Sequence, residues 1–190
     1  MKGIILAGGT GSRLHPLTVA VNKHLLPVGD EPMVMRCLEK LTEAGIKEIA
    51  IVTNPEYLSN FSALLKSGED YGCDITYKVQ NKALELCENF VGDDNCTVLL
   101  GDNMFEDSLV QHVKDFDGDC KLFFKNVSDG HRYGVGRFEE GIGLYEILEK
   151  PSDVTHAYAA IGVYIYSSKV FELLKKVKPS YRGEREITTV

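Results

Sequence analysis

The sequence predicts an α/β fold in which helices flank a mainly parallel β-sheet. Over the first hundred residues, short apolar runs alternate with segments of helical periodicity, which is typical of βαβ units. Between residues 133 and 149 the pattern changes to two β-like runs around the turn 139–143, which predicts a hairpin and therefore a mixed sheet. The 190 residues contain no repeat and no linker-like segment, so we expect a single domain over residues 1–190.

Local signals mark the first strand and the first long helix of this alternation. Residues 2–7 are an apolar strand that runs into glycines. Pro32 suits the first turn of a helix over residues 33–44, and Gly45 suits its C-terminal stop. The helical spacing places one apolar face toward the core, formed by Val34, Cys37, Leu38, Leu41 and Ala44.

The rest of the chain continues the alternation of strands and helices. After the strand 48–53, Asn54 and Pro55 are typical of the start of a helix, which we expect to end near Gly68. The further predicted elements are a strand 75–80, a helix 82–90, a strand 97–100, a helix 108–116, a strand 121–125, the hairpin strands 133–138 and 144–149, a strand 159–166 and a helix 169–177.

Composition and charge argue against several classes of function. The net charge of −7 opposes a general affinity for nucleic acid or anionic membranes, because both need an excess of Lys and Arg facing phosphates. No stretch approaches the ~20 apolar residues of a membrane helix. The five cysteines are odd in number and contain no C-x-x-C pair, so we expect buried free thiols and a cytoplasmic protein.

The segment after the first strand is rich in glycine and leads to two cations. Glycines let backbone N–H groups approach an anion, and open α/β proteins bind ligands at the carboxyl edge of their parallel strands. With Arg13 as a fork-shaped donor and Lys23 as a point charge, the segment predicts a polyphosphate site. The alternative is a tight surface loop with solvated cations.

Neither of the two common phosphate-loop patterns is present in this segment. Gly9-Thr-Gly-Ser-Arg-Leu14 ends in leucine where the dinucleotide fingerprint G-x-G-x-x-G has its third glycine, and G-x-x-x-x-G-K-[ST] is absent. The broken fingerprint disfavours an NAD-dependent dehydrogenase.

Several motifs then occur in a fixed order along the chain. They are Leu6-Ala-Gly-Gly-Thr-Gly-Ser-Arg-Leu-His-Pro-Leu-Thr18, Asn22-Lys-His-Leu-Leu-Pro-Val28, Leu99-Leu-Gly-Asp-Asn-Met-Phe105, Arg132-Tyr-Gly-Val135, Glu149-Lys-Pro151, Tyr158-Ala-Ala-Ile-Gly-Val-Tyr164 and Arg182-Gly-Glu-Arg-Glu-Ile-Thr188. In this order they resemble the sugar-1-phosphate nucleotidyltransferases, most closely the glucose-1-phosphate thymidylyltransferases. The resemblance spans essentially the whole chain. It implies a Rossmann-like layered α/β/α nucleotidyltransferase fold with a mainly parallel mixed central sheet and a C-terminal β-hairpin region.

The resemblance also implies a reaction. A sugar-1-phosphate oxygen attacks the α-phosphorus of a nucleoside triphosphate, so that glucose 1-phosphate and dTTP would give dTDP-glucose and pyrophosphate. A phosphate monoester with a second pKa of ~6 is already mostly dianionic at neutral pH and needs no general base. Positioning and cations should therefore supply most of the catalysis.

The resemblance assigns roles to individual residues. It implies that Arg13 stabilises the triphosphate and the transition state, that Lys23 holds the displaced phosphates, and that Lys150 holds the sugar phosphate. These three are the predicted catalytic residues. The predicted nucleotide-binding residues are Leu6, Gly8, Gly9, Gly11, Arg13, Lys23 and Gln80. The predicted sugar-phosphate-binding residues are Asn103, Gly134, Glu149 and Lys150, although a hairpin turn explains Gly134 nearly as well.

Asp102 is the candidate metal ligand. It follows a predicted strand, beside the expected phosphate site, and Mg²⁺ prefers hard oxygen ligands, often one or two carboxylates together with phosphate. A turn formed by Gly101-Asp-Asn103 is the alternative on spacing alone. With the resemblance, we expect Asp102 to hold Mg²⁺.

The sequence departs from the family pattern in two places. After Val79-Gln80 the family has a loop with proline and glycine that faces the nucleotide base, whereas this chain continues directly with Asn81-Lys-Ala-Leu84. Thr189 stands where the family usually has an aspartate that is a second metal ligand. Both departures support an alternative hypothesis, a catalytically weak or inactive homologue that binds nucleotide or sugar phosphate. The family also commonly forms homo-oligomers.

Overall fold

The structure is a computed structural model that describes residues 1–9, 11–79 and 84–177. The strands and helices are, in chain order, β1 Lys2–Leu6, β2 Pro27–Val28, β3 Glu31–Pro32, α1 Met33–Glu43, β4 Glu48–Thr53, α2 Leu58–Leu65, β5 Asp74–Val79, α3 Glu88–Val91, β6 Cys96–Leu100, α4 Val110–Lys114, β7 Cys120–Val127, β8 Gly134–Glu139, β9 Gly143–Glu149, β10 Ala157–Tyr166 and α5 Val170–Lys176.

A mixed sheet forms the centre of the fold. β5, β4, β1 and β6 lie side by side in this order and run parallel. β10 continues the sheet antiparallel to β6, and it pairs with both β7 and β8. β8 and β9 form the predicted hairpin, with Gly134 opposite Glu149. The predicted α/β class, mixed sheet and hairpin are therefore confirmed.

Helices cover both faces of the sheet because its central strands are apolar on both sides. Neighbouring residues of β1 point to opposite faces, with Ile5 in one buried cluster and Ile4 in the other. The Ile5 cluster contains side chains of α1 and α2, and the Ile4 cluster contains side chains of α3 and α5. This arrangement is the α/β/α layering that the sequence predicts.

The predicted faces and boundaries of the early elements agree closely with the structure. Of the five predicted core residues, Val34, Cys37, Leu38 and Leu41 are buried on α1, whereas Ala44 follows the last residue of the helix and is half-buried. Gly45 has φ +79°, a left-handed conformation that suits the end of a helix. The start of the next helix is only partly confirmed, because the Asn54 side chain makes no capping hydrogen bond and a 3₁₀ turn precedes α2.

Later helices are shorter than the sequence predicts. The segment predicted as a helix over 82–90 is a 3₁₀ turn at Glu85–Cys87 followed by the single α-turn α3, and residues 80–83 lie outside the described residues. The predicted helix 108–116 is reduced to α4, while the ribbon of β2 and β3 was not predicted. Strands of two residues are too short to show a period of two, so the sequence pattern cannot reveal them.

A bulge interrupts β10 where it leaves β6. On one side of the bulge Ala160 pairs with Phe124 of β7, and on the other side Tyr164 pairs with Leu122. Residues 161–163 therefore occupy more chain length than the strand opposite them, which bends β10 locally. The bulge lies beside the carboxyl end of β6, because Val163 is paired with Leu99.

The cysteines are free, as predicted, but they are not all buried. Cys37, Cys73, Cys87 and Cys96 are buried, whereas Cys120 is exposed at the start of β7. The expectation of buried thiols is therefore wrong for Cys120. In the described part of the chain, no helix combines the length and the apolar character that crossing a membrane requires.

Candidate active site

The glycine-rich segment begins at the carboxyl end of β1, between the ends of β4 and β6. The Leu6 carbonyl accepts a hydrogen bond from the Gly101 N–H at 2.9 Å, which joins the end of β1 to the loop after β6. The Ala7 carbonyl accepts hydrogen bonds from Asn22 Nδ2 at 3.1 Å and Thr53 Oγ1 at 3.4 Å. The segment after β1, the end of β4 and the loop after β6 therefore meet at the edge where open α/β proteins bind ligands.

The glycine loop needs glycine at Gly9 and Gly11 for a conformational reason. Gly9 has φ +92° and Gly11 has φ +60°, values that residues with a Cβ rarely adopt. A Cβ on Gly11 would also lie 2.9 Å from Thr18 Cγ2 and 3.3 Å from Lys23 Cβ. Thr18 Oγ1 stabilises this turn by donating a hydrogen bond to the Gly11 carbonyl at 2.7 Å. The turn therefore packs directly against Lys23.

Lys23 and Asp102 form an ion pair across the edge of the sheet. Lys23 lies in the 3₁₀ turn Lys23–Leu25, and its Nζ donates to Asp102 Oδ2 in the loop after β6. Burial alone raises the pKa of the Asp102 carboxyl, but the hydrogen bond and charge of Lys23 outweigh it and lower the pKa below its ordinary value. Asp102 is therefore an anion at neutral pH, and Lys23 is its counter-ion.

A buried pair of polar residues supports this ion pair from beneath. Asn22 is 2% exposed, and its Oδ1 accepts from the His24 backbone N–H at 2.9 Å and faces His24 Nδ1 at 2.7 Å. The His24 ring in turn lies against Gly101, where a Cβ would be 2.8 Å from its Cδ2. The absence of a side chain at Gly101 therefore leaves room for the His24 ring. The ring separates the Lys23 turn from the Asp102 loop.

Burial lowers the pKa of His24 to about 4, with a smaller contribution from the positive charge of Lys23 and an opposing one from Asp102. The unfolded chain takes up this proton near its ordinary pKa of 6.5. Stability is therefore lost as the pH falls from 6.5 towards 4, because only the unfolded state binds the proton in this window. The expected loss from this group is about 2 kcal/mol between pH 7 and pH 5.

His24→Gln is expected to remove this pH-dependent loss, since a Gln amide can still donate to Asn22 but cannot titrate. Urea unfolding at pH 7 and pH 5 in EDTA measures the difference, with the exposed His156→Gln as the matched control. A wild-type loss that His24→Gln leaves unchanged would contradict the assignment.

Two further contacts hold the Asp102 loop. The Cys37 thiol of α1 points to the carbonyl oxygens of Leu100 and Asn103, with Sγ to oxygen distances of 3.7 Å. Burial raises the pKa of this thiol to about 12, so it stays protonated and can donate weakly. On the other side, the Asn103 side chain lies against Gly162 in the β10 bulge. The loop therefore contacts both a helix and a sheet strand.

Three of the four predicted sugar-phosphate residues, Gly134, Glu149 and Lys150, lie together where β8 begins and β9 ends, while Asn103 lies in the loop after β6. Gly134 is paired with Glu149, and Glu149 Oε1 accepts from Lys150 Nζ at 2.7 Å. Lys150 has φ +46°, an unfavourable conformation for a side chain with a Cβ, and its backbone N–H donates to Tyr133 O at 2.9 Å. Backbone strain of this kind is concentrated at functional sites, so it favours a functional role for Lys150.

The hairpin end lies at the same edge of the sheet as Asp102. Val135 pairs with Ala159, three residues before Gly162, and Gly162 lies against Asn103 and Leu100. The start of β8 therefore lies near the carboxyl end of β6.

The structure thus brings most predicted site residues to one edge of the sheet. Lys23 and Asp102 are in direct contact, and Asn103 adjoins Asp102. Arg13 is exposed on the 3₁₀ turn Ser12–Leu14, two residues after Gly11. Gln80 lies outside the described residues, as does Thr189, so the predicted base contact and the missing second aspartate have no structural description.

The carboxylate of Asp102 fits a Mg²⁺ ion that is shared with substrate phosphates. Asp102 supplies a partly exposed carboxylate, 41% exposed, whose Oδ2 faces a cation in this structure. Within the described ranges no group of three His, Cys, Asp or Glu side chains is close enough to hold a metal by itself. Because Mg²⁺ is often bound by one or two carboxylates together with substrate phosphates, Asp102 fits a metal that arrives with a nucleotide.

Sequence reasoning missed the supporting residues Asn22, His24, Cys37 and Gly162. Asn22, His24 and Gly162 lie within quoted motifs but have no charge that would single them out. Cys37 was assigned to the core face of α1, where it lies, but its contact with the Asp102 loop depends on a partner more than sixty residues away. No local signal reveals such a contact.

Comparison with known proteins assigns the class. The sequence profile of the family described as "Nucleotidyl transferase" matches residues 2–190. A glucose-1-phosphate thymidylyltransferase of Neisseria meningitidis is 41% identical over 99% of this chain and 69% of its own length. The low-salt glycan biosynthesis nucleotidyltransferase Agl11 of Haloferax volcanii is 37% identical over 99% of this chain and 55% of its own length.

A solved structure agrees with this assignment. It is the crystal structure of a Bacillus anthracis protein assigned as a glucose-1-phosphate thymidylyltransferase, in complex with sucrose. It is 44% identical, has a TM-score of 0.92 and covers 100% of this chain and 80% of that one. The chain belongs to the nucleotidyl transferase family and is an enzyme of that class. The alternative of an inactive homologue is not favoured, because the relatives are named as enzymes.

Proposed function

We propose that the protein transfers a nucleotidyl group from a nucleoside triphosphate to a sugar 1-phosphate and releases pyrophosphate. We propose dTTP and glucose 1-phosphate as its substrates, in line with the thymidylyltransferases that it resembles. The observation that carries the proposal is the Lys23–Asp102 pair beside the glycine loop, at the carboxyl edge of the sheet. This arrangement places a cation for the phosphates, and a carboxylate for a metal ion bound to them, beside a glycine turn.

The reaction depends more on neutralising the negative charge of the phosphates than on proton transfer. The sugar phosphate is already a nucleophile at neutral pH, so the obstacle is to bring two polyanions into line and stabilise the departing pyrophosphate. We propose that Arg13 binds the triphosphate with its guanidinium and stabilises the transition state, while Lys23 neutralises the departing phosphates. Leu6, Gly8, Gly9 and Gly11 would line the nucleotide with their backbone, and Gln80 would contact the base.

We propose that the hairpin end binds the second substrate. Lys150 would hold the sugar phosphate, Glu149 would accept hydrogen bonds from sugar hydroxyls, and Asn103 and Gly134 would border the same ligand. The close pairing of Glu149 with Gly134 and Lys150 supports this grouping. The positive φ of Lys150 supports it as well, because local strain is typical of ligand-contacting residues.

Asp102 would hold Mg²⁺ together with the triphosphate. The bound ion would supply positive charge to the phosphate oxygens as pyrophosphate leaves. Lys23, whose Nζ contacts Asp102 in this structure, would be close enough to serve a phosphate oxygen of the same nucleotide. The ion pair therefore holds both groups near their proposed places.

Pyrophosphate release tests the proposal directly. The protein is mixed with dTTP, UTP, ATP, CTP or GTP and with glucose 1-phosphate, mannose 1-phosphate or N-acetylglucosamine 1-phosphate, with Mg²⁺ or with EDTA. We expect the fastest release with dTTP and glucose 1-phosphate, and none with EDTA. Absence of release with every pair would reject the proposed function, and faster release with UTP would correct the base.

We further propose one domain over residues 1–190, a cytoplasmic location and a homo-oligomeric state. The continuous sheet of the described residues supports the single domain, and their free cysteines support a reducing compartment. The exposed rings of Phe138 and Tyr158 support self-association, because clustered apolar surface is typical of interfaces. A monomeric mass in light scattering would contradict the oligomer.

A further inference from the structure

The bulge of β10 brings a glycine into contact with the loop that carries Asp102. A Cβ placed on Gly162 would overlap the amide nitrogen of Asn103 and would lie 2.7 Å from both Cγ and Cδ1 of Leu100. Real Cβ atoms essentially never approach other atoms this closely, so any other residue at this position would displace its neighbours. The Asn103 amide therefore occupies the space that a side chain at residue 162 would fill.

This glycine is not needed for backbone conformation. Gly162 is absent from the residues with positive φ, so an alanine could adopt its backbone angles. The absence of a side chain is therefore explained by the close approach of the Asn103 loop. By contrast, Gly9 and Gly11 have positive φ and would be strained with any side chain.

We infer that Gly162 is a positioning residue that seats the Asn103 side chain and so connects the sugar-phosphate half of the site to the Asp102 loop. The inference rests on the proposed function, in which Asn103 contacts the sugar phosphate. The Cys37 thiol of α1 contacts the backbone carbonyl of Asn103, and the Asn103 side chain lies against the backbone of Gly162.

The position of the bulge explains how one contact serves both halves of the site. Val163, directly after Gly162, pairs with Leu99 of β6, which leads to Asp102. Ala159, three residues before Gly162, pairs with Val135 of β8, which leads back to Gly134. A methyl group at residue 162 would meet the Asn103 amide and the Leu100 side chain, and no atom of the glycine loop or of Lys23 is among the three atoms nearest to it.

Gly162→Ala is therefore expected to weaken binding of glucose 1-phosphate. We expect the Kd for glucose 1-phosphate from calorimetry, and the KM from pyrophosphate release, to rise about tenfold. The KM for the nucleoside triphosphate should stay within about twofold, which a general loss of folding would not produce. Gly118→Ala is the matched control, since Gly118 has no atom within 4 Å of an added Cβ and no positive φ.

A double variant decides whether Gly162 acts through Asn103. Asn103→Ala should show the same sugar-phosphate defect, and Gly162→Ala should add less than about twofold to it, because the amide that the methyl would strike is gone. If the two substitutions instead raise the Kd for glucose 1-phosphate independently, so that their effects multiply in the double variant, the inference is overturned. The effect of Gly162→Ala would then be assigned to its contact with Leu100. If Gly162→Ala alone does not fold, the double variant should still fold, and its failure to do so would also overturn the inference.

The test separates this inference from the proposed function. The proposed function is judged on turnover by the wild-type protein, whereas Gly162 is judged on the ratio of variant to wild-type Kd for glucose 1-phosphate. If the wild-type protein binds the sugar phosphate without turnover, only the proposed function is rejected. If Gly162→Ala binds glucose 1-phosphate as tightly as the wild type, only the inference about Gly162 is rejected.

Discussion

Replacing Asp102 by asparagine is expected to lower kcat/KM for pyrophosphate release by about a thousandfold, the upper range for loss of one electrostatic group. Asparagine has nearly the same shape and can still accept a hydrogen bond from Lys23, but it has no charge to hold Mg²⁺. The fold should be retained, because a partly exposed ion pair contributes at most about 1 kcal/mol. Initial rates at several Mg²⁺ concentrations measure the loss.

The control for this variant lies in the same loop. Asp107 is exposed and five residues further along the chain, so Asp107→Asn changes the net charge equally at nearly the same place. It should leave the rate within about twofold. An active Asp102→Asn enzyme with an unchanged Mg²⁺ dependence would show that the metal is held elsewhere.

Much of the fold could be predicted because its signals are local. Gly45 ends α1, apolar positions spaced by three or four residues define its buried face, and runs of β-branched residues define β1 and β4. The α/β/α layering then follows from strands that are apolar on both faces. The helix α3 was predicted too long, because an apolar pattern over 82–90 is equally compatible with a 3₁₀ turn and a single α-turn.

The candidate site could be predicted as a set of residues but not as an arrangement. Arg13, Lys23 and Asp102 are recognisable from their motifs, yet only the structure pairs Lys23 with Asp102 across 79 residues of sequence. The buried Asn22 and His24 belong to no charge pattern, and their importance follows from burial and hydrogen bonding. The role of Gly162 cannot be predicted from the sequence, because it depends on the Asn103 side chain that lies against it in the fold.

The pairing of Lys23 with Asp102 has a consequence for metal binding. The ammonium of Lys23 contacts Asp102 Oδ2, so a metal ion bound by this oxygen would compete with Lys23. In the proposed site a triphosphate would offer its own oxygens to Lys23 and further ligands to the metal. The proposal therefore predicts that Asp102 binds Mg²⁺ weakly alone and more tightly together with nucleotide.

Replacing Lys23 by methionine is therefore expected to have two opposite effects. Turnover should fall by about a hundredfold or more, because the charge that faces the departing phosphates is lost while the apolar stem of the side chain is kept. Binding of Mn²⁺ without nucleotide, measured by calorimetry or electron paramagnetic resonance, should become tighter by severalfold, because Asp102 no longer has a competing cation. Lys114→Met on the exposed face of α4 is the control and should change neither quantity.

The two effects separate a catalytic from a structural role for Lys23. A variant that was only misfolded would lose turnover and metal binding together. Removal of a competing cation instead lowers turnover and raises the affinity for Mn²⁺. Thermal unfolding should change little, since the ion pair is partly exposed. If Lys23→Met loses turnover and also binds Mn²⁺ more weakly than the wild type, then Asp102 does not bind the metal in competition with Lys23. The proposed sharing of that carboxylate between the two cations would be wrong.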